Sequence, residues 1–502
     1  MSRTTRTSQV RDEIRRFLAV RPVQVGELDL TGEGATLRPG PGGPPVTSGP
    51  VFVLVRREGR PVGTLLGEVP EGADPKATLR ELAEGMGLPG SAGHPYGTGP
   101  ADRTTGPPPP YTTVVIATRE RTGTLVHALD SMLAQDHPRF EIVVVDNAPA
   151  TSATRDLVRE KYAERVRYVC EPVPGLAVAH NRGVAAARGE VVAFTDDDVV
   201  ADPRWLTELT SPFAADPGLG CTTGLILPAR LRTPAQVLLE SHGGFSKGFV
   251  PRTYDPAAPP ADEPLFPFTA GRFGSGASMA FRTRVLREVR GFDPATGAGT
   301  LARGGDDLYG FVRVLARGYR LHYTPYALVW HHHRETWRDL ETQAYGYGAG
   351  LGAYLTAVLV NSPGLVPGFL ARVPKGVAYA RALTASRGVE GGRGVGGGAR
   401  AGVPEGDEVG VPRGDGSGVP GGGEAGIPRR DGSGVPEGDE AGVPRSDTAL
   451  PVSAGPGVHG DRDHPWPRRL SKLQRRGMLY GPVGYLRARW ALRTAWGRGG
   501  AR

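Results

Sequence analysis

The sequence predicts an α/β fold built on a parallel sheet, and three observations carry that reading. Short apolar runs alternate with amphipathic segments across residues 111–345. The runs at 113–117 (TVVIA), 141–145 (EIVVV), 166–169 (VRYV) and 191–194 (VVAF) have the character of strands buried on both faces. Acids stand where two of these runs end: Asp146 after the second, and Asp196, Asp197 and Asp198 after the fourth. A βαβαβαβ order implies a parallel sheet with helices on both faces, and ligands bind such sheets beyond the carboxyl ends of the strands.

Each element has its own signal. Residues 1–87 read as a small α+β module. Within it, 12–20 is a short helix, and 51–55 (VFVLV) and 62–66 (VGTLL) flank a charged turn as a hairpin. Asp74-Pro75 caps and opens a helix over 76–84. The module shows no catalytic constellation, so packing or docking is its expected role. Residues 88–110 are a Gly/Pro linker ending in four prolines. In the α/β region, 124–135 places Leu125, Ala128, Leu129 and Met132 at helical spacing, and 152–162 and 176–187 follow as further helices. Residues 346–385 are apolar but broken by Pro363, Pro367 and Pro374. They read as a packed or surface-lying helix, with a re-entrant or interfacial contact as the alternative.

The last part of the chain is different in kind. Residues 386–465 are low in complexity, and from Gly402 an octad of the form GVPEGDEV recurs six times. Each unit has too little apolar surface to offset its ordering entropy, so this is expected to be a disordered spacer. Residues 466–502 carry ten Lys/Arg and no acid, interleaved with Trp466, Leu470, Leu473, Tyr480, Tyr485, Trp490 and Trp496. An amphipathic helix pair on an anionic membrane surface is the expected reading, and a basic helix docked on the α/β domain is the alternative.

Composition bounds these readings. The 502 residues suffice for two or three domains, and the net charge of +8 favours acidic partners. Two cysteines, Cys170 and Cys221, exclude a disulfide framework or a cysteine-built zinc site. Both are expected to be buried in a reducing compartment. The N-terminus lacks an apolar signal region, and no apolar run reaches bilayer length, so a cytoplasmic location is expected.

The Asp triplet carries the chemistry. Three adjacent carboxylates repel and resist burial unless compensated. At the end of a buried strand they suit a divalent cation, Mg²⁺ or Mn²⁺; a solvated acidic turn is the plain alternative.

Four segments resemble the family 2 glycosyltransferases, inverting enzymes of the GT-A fold. They are TTVVIATRERTGTLVHALDSMLAQDHPRFEIVVVDNA, VPGLAVAHNRGVAAARGEVVAFTDDDVVADPRWL, FGSGASMAFRTRVLREVRGFDP and ARGGDDLYGFVRVLARGYRLHYTPYALVWHHHRET. They occur in the family's order over nearly half the chain. GPVGYLRARW is similar to a stretch behind some actinobacterial-type members. The resemblance implies a Rossmann-like αβα sandwich and a DxD motif. Asp198 and Asp196 would hold the metal and Asp197 would contact ribose. Asp146 would meet the nucleobase, with Thr118 and Arg119 bordering base and ribose. Asn181 and Arg182 would contact the nucleotide, and His331 would be a third metal ligand.

Inversion requires one carboxylate to deprotonate the acceptor hydroxyl as it attacks the anomeric carbon. Asp307 aligns with that base; Asp306 stands where the family usually has Glu, and also suits an N-cap for the helix over 308–316. The family's further acid is replaced by Tyr309 or Gly310. The Gly/Pro-rich stretch 243–262 reads as an acceptor loop.

The expected reaction is therefore sugar transfer from a nucleoside-diphosphate donor, UDP-linked, to a glycan, lipid-linked or small-molecule acceptor. Cell-envelope or secondary-metabolite glycan synthesis is the expected setting, and no nucleic acid is expected. A non-catalytic scaffold is the rival outside enzymes. A sugar nucleotidyltransferase is the rival within them, but it needs glycines after the first strand that ATRERTGTL lacks.

Overall fold

The computed structural model describes residues 20–32, 34–88, 108–242, 244–375 and 467–499. The expected helix over 12–20 falls almost wholly outside these residues. The octad repeat and most of the 88–110 linker fall outside them too.

The N-terminal module is a four-stranded sheet in the order β2-β1-β3-β4. Its strands are β1 (Gln24–Thr31), β2 (Gly34–Pro39), β3 (Gly49–Arg57) and β4 (Arg60–Val69). β3 and β4 form the expected hairpin, and β1 lies parallel to β3. Helix α1 (Pro75–Gly85) starts at Asp74, whose carboxylate accepts the Lys76 and Ala77 amides. Phe52 and Leu54 leave this sheet to pack on Leu225, Leu227, Leu328 and Trp330 of the second sheet. The Arg56 guanidinium bridges Glu27 of the module (2.7 Å) to Asp202 (2.6 Å).

The second sheet runs β11-β13-β10-β12-β8-β5-β6-β7, with β9 on β13. Its first half is as expected. β5 (Thr112–Thr118), β6 (Phe140–Asn147), β7 (Val166–Glu171) and β8 (Val191–Asp196) are parallel. Helices α2 (Thr122–Leu133), α3 (Ala153–Lys161) and α4 (Leu176–Ala186) connect them.

The second half departs from a uniformly parallel sheet. It contains β9 (Val199–Ala201), α5 (Trp205–Ala215), β10 (Leu219–Pro228), α6 (Pro234–Ser241), β11 (Arg252–Tyr254), β12 (Met279–Arg282), α7 (Thr283–Glu288), α8 (Asp306–Ala316) and β13 (Arg320–His331). β12 is antiparallel to both β8 and β10, while β10 and β13 are parallel. The sheet is therefore mixed. Of the two cysteines, Cys221 is buried as expected but Cys170 is exposed, because β7 is the edge strand.

Helix α9 (Trp337–Asn361) is followed by a bent continuation over Pro363–Lys375, and α10 spans Arg468–Gly499. The expected helix pair in the tail is thus one helix, running through Pro482 and docked on α9. The two run side by side in the same direction: Tyr345 lies at Gly477, Ala349 at Gly481, and Asn361 bonds Arg489. Small residues permit the approach, since a Cβ on Gly477 would strike the Tyr345 carbonyl and one on Gly348 the Gln474 carbonyl. Among the described residues no single helix is long and apolar enough to cross a membrane.

Candidate active site

Strand register assembles the acids. On β5, Thr118 stands opposite Asp146 of β6, and Ala117 stands opposite Asp196 of β8. Parallel pairing therefore brings the ends of the second and fourth strands to one sheet edge. β9 pairs antiparallel with β13, His331 opposite Val199, and the His332 amide donates to the Asp198 carbonyl (2.9 Å). This pairing, between segments over 100 residues apart in sequence, carries His331 to the triplet.

The three aspartates have different surroundings. Asp197 is buried and accepts the Thr118 hydroxyl (2.7 Å) and Arg121 Nη1 (2.5 Å). Burial pushes its pKa up to about 6, against the pull of Arg121. Asp198 is also buried, but there His331 and Arg121 outweigh burial and hold its pKa below the ordinary value. Arg121 Nη2 donates to it at 2.7 Å, His331 Nε2 lies 3.4 Å away and Arg334 3.8 Å. Among the described residues nothing hydrogen-bonds the Asp196 carboxylate. Burial, then Asp198, Asp197, Asp306 and Asp307, push its pKa well up.

These residues fit a divalent cation. Ligand atoms of Asp196, Asp198 and His331 lie within 4.8 Å of one another. Asp196 is an unpartnered carboxylate, and a dication there would relieve the repulsion that raises its pKa. Burial lowers the His331 pKa to about 4, which leaves the neutral imidazole that ligation requires. The ring is held by a relay: His331 Nδ1 lies 3.0 Å from His333 Nδ1, and His333 Nε2 lies 3.0 Å from Glu240.

Asp306 and Asp307 open α8 at the other end of the acid cluster. The expected N-cap role for Asp306 is not found. Gly305 is the cap, at φ +87°, and a Cβ there would strike the Gly350 carbonyl. Asp306 is buried with its Oδ2 3.4 Å from His180 Nδ1, and neither atom has a hydrogen-bond partner. Asp307 is half-buried. Its Oδ2 accepts the Gly276 amide (2.9 Å) and its Oδ1 the Leu308 amide (2.8 Å). Burial and the neighbouring Asp306 push the Asp307 pKa up to about 6. Lys247, in the 243–262 stretch, feels Asp307, yet burial brings its pKa down to about 8.

The remaining sequence candidates divide. Asp146 is buried; Tyr168 donates to its Oδ2 (2.9 Å), while its Oδ1 has no partner. The Thr118 hydroxyl, expected at base and ribose, donates instead to Asp197. Arg119 and Arg182 are exposed. The Asn181 amide brackets the Phe292 backbone, donating to its carbonyl (2.8 Å) and accepting its amide (2.7 Å), and so positions a loop.

Nothing in the sequence places Arg121, one of the basic residues of ATRERTGTL, on the triplet. Three arginine or acid positions within ATRERTG offered no signal to choose it. His333 had a signal, since alternate residues of an extended chain share a face and it stands two after His331.

Residues 108–345 match the family model described as "Glycosyltransferase like family 2". The pre-mycofactocin glycosyltransferase of Mycobacterium tuberculosis is 27% identical over 242 residues, 47% of this chain and 46% of that protein. An uncharacterized protein of Sinorhizobium fredii is 30% identical over 233 residues, 44% of this chain and 24% of that one. The chain thus spans less than half the length of these two relatives. A mannosyltransferase from Pyrobaculum calidifontis, solved in complex with GDP-Man and Mn²⁺, is 23% identical with a TM-score of 0.38; the match covers 53% of this chain and 71% of that one. With the family match falling on the same mixed sheet that gathers these acids, residues 108–345 form an α/β domain similar to the family 2 glycosyltransferases and to their GT-A fold.

Proposed function

We propose that the chain moves a sugar from a nucleoside-diphosphate donor to an acceptor hydroxyl by single displacement with inversion. The observation that carries this reading is the meeting of Asp196, Asp198 and His331 within 4.8 Å, electrostatically coupled to Asp306 and Asp307. A divalent cation held there supplies Lewis-acid neutralisation of the diphosphate leaving group. Two carboxylates and an imidazole favour Mn²⁺ over Mg²⁺. The chain's own residues do the rest. Arg121 and Thr118 fix Asp197 and Asp198, and Glu240 and His333 fix the His331 ring. Asp307, held by two backbone amides, takes the acceptor proton; its raised pKa suits a base that later releases it.

The partnerless Oδ1 of Asp146 calls for an N–H donor. The N3–H of uracil is one, and on that ground we assign UDP as the carrier; guanine N1–H is its competitor. Thermal-shift titration of UDP, GDP, CDP and ADP with Mn²⁺ or Mg²⁺ tests the assignment. We expect the largest shift with UDP and Mn²⁺, and its loss in Asp198→Ala. A larger shift with another nucleotide would replace UDP, and a metal-independent shift would remove the cation from the reading.

We further propose a cytoplasmic protein peripheral to the inner membrane face. Leu479, Val483, Leu486 and Trp490 are 50–78% exposed at helical spacing on α10, beside Lys472, Arg475, Arg476 and Arg487. Salt-sensitive sedimentation with anionic vesicles checks this, and full solubility at low salt would reject it.

A further inference from the structure

A cavity of about 540 Å³ opens behind the acid cleft, between the last turn of α8, the end of α9 and the second half of α10. Five guanidiniums line it, those of Arg290, Arg313, Arg317, Arg489 and Arg493, against two carboxylates. Both carboxylates are already engaged. Asp293 accepts the Tyr485 hydroxyl (2.8 Å) and the Asn361 amide (2.7 Å). Glu288 faces Arg317 at 3.6 Å and accepts the Tyr319 hydroxyl at 3.0 Å. Among the described residues, no carboxylate forms an ion pair with Arg290, Arg313, Arg489 or Arg493.

The clustering works against the fold as it stands. Arg313 donates to the Gly291 carbonyl (2.7 Å) and lies over the Tyr309 ring at 5.2 Å. Burial lowers its pKa against the pull of Tyr309 and Asp293, and Arg317 and Arg290 add to the lowering. Guanidiniums gathered around one cavity with few carboxylate partners repel one another, and an anion with several acceptor oxygens would turn that repulsion into charge-assisted hydrogen bonds. A tetrahedral phosphoryl group offers oxygens to three walls at once, which a planar carboxylate does not.

We propose that this cavity binds a phosphate-bearing anion, either the phosphoryl group of a soluble ligand or the phosphodiester of a lipid headgroup. The site shares no residue with the acid cleft. Phe292 stands between them, its ring 5.2 Å from that of His180. Both sources are physically accessible, because Arg489 and Arg493 share α10 with the exposed Leu486 and Trp490. The proposal is independent of the sugar-transfer reading.

The test uses the full chain in EDTA, so that the carboxylate cleft holds no metal to capture phosphate. The probes are inorganic phosphate by calorimetry and, separately, vesicles of phosphatidylglycerol in phosphatidylcholine compared with phosphatidylcholine alone. Arg290→Gln/Arg493→Gln removes two exposed guanidiniums that make no hydrogen bond among the described residues, so folding is spared. Arg38→Gln/Lys76→Gln removes the same charge from exposed positions of the N-terminal module, outside the cavity. Wild type and the second variant should bind one probe, with the first variant about tenfold weaker or worse. A response to phosphate identifies a soluble ligand; a response to the anionic vesicles alone identifies a headgroup. Equal binding by the two variants, or no binding of either probe by wild type, overturns the proposal.

Discussion

Two pairs of adjacent aspartates, Asp197-Asp198 and Asp306-Asp307, belong to one acid cluster and are compensated in different ways. The first pair has a cation of its own: Arg121 reaches both side chains, and Arg334 adds to the field at Asp198. Among the described residues, the second pair has no guanidinium within ion-pair distance. It relies on two backbone amides at Asp307 and on the neighbouring His180 at Asp306. Compensation by fixed charge keeps a carboxylate ionised, as at Asp198, ready for a metal. Compensation by dipoles alone leaves Asp307 with a pKa near 6, ready for a proton. The same residue type thus serves opposite chemistry, although Arg121 does not decide it alone, since burial lifts Asp197, which it also touches, to about 6.

The contrast breaks most visibly at the base. Asp307→Asn should lower transfer on the order of 10³-fold while donor binding, read by thermal shift with Mn²⁺, stays near wild type. Undiminished transfer with loss in Asp306→Asn instead would exchange the two roles. A smaller effect comes from the compensating charge. Arg121→Met leaves Asp197 and Asp198 buried without their guanidinium, so the metal-free protein should lose stability by about 3 kcal/mol. Mn²⁺ should restore part of that loss, because the cation takes over the same carboxylates. A metal-free melting temperature equal to wild type would show that the arginine compensates nothing.

Much of this cleft was legible in the chain because the chemistry sits on locally coded elements. The runs at 141–145 and 191–194 have the character of buried strands, so those strands and the acids after them could be read directly. The antiparallel β12 was not legible, since MAFR is four residues long and only its pairing with β8 and β10 makes it a strand. Arg121 was hidden for a related reason. Its role depends on the turn after β5 folding back over β8, and no local pattern encodes a contact 76 residues away. The tail shows the same limit from the other side. Its basic, aromatic pattern predicts an amphipathic helix, but Gly348 and Gly477 decide that the helix docks on α9, and a glycine alone in a sequence does not say what approaches it.

The finest separation of the two pairs comes from pH. A base must be ionised to accept a proton, so activity should rise with pH through about 6, the value to which burial and then Asp306 raise Asp307. Asp197 has the same value, but its pKa is set by burial, Arg121 and Asp198, not by Asp306. Replacing Asp306 with Asn removes a like charge beside Asp307 and nothing beside Asp197. The acid limb of kcat/KM should therefore move to lower pH in Asp306→Asn, with activity at pH 8 changed only modestly. A limb that stays near 6 would mean that burial alone raises Asp307 or that the limb reports Asp197. Asp197→Asn then decides between these, since it abolishes the limb only if the metal-side pair was titrating.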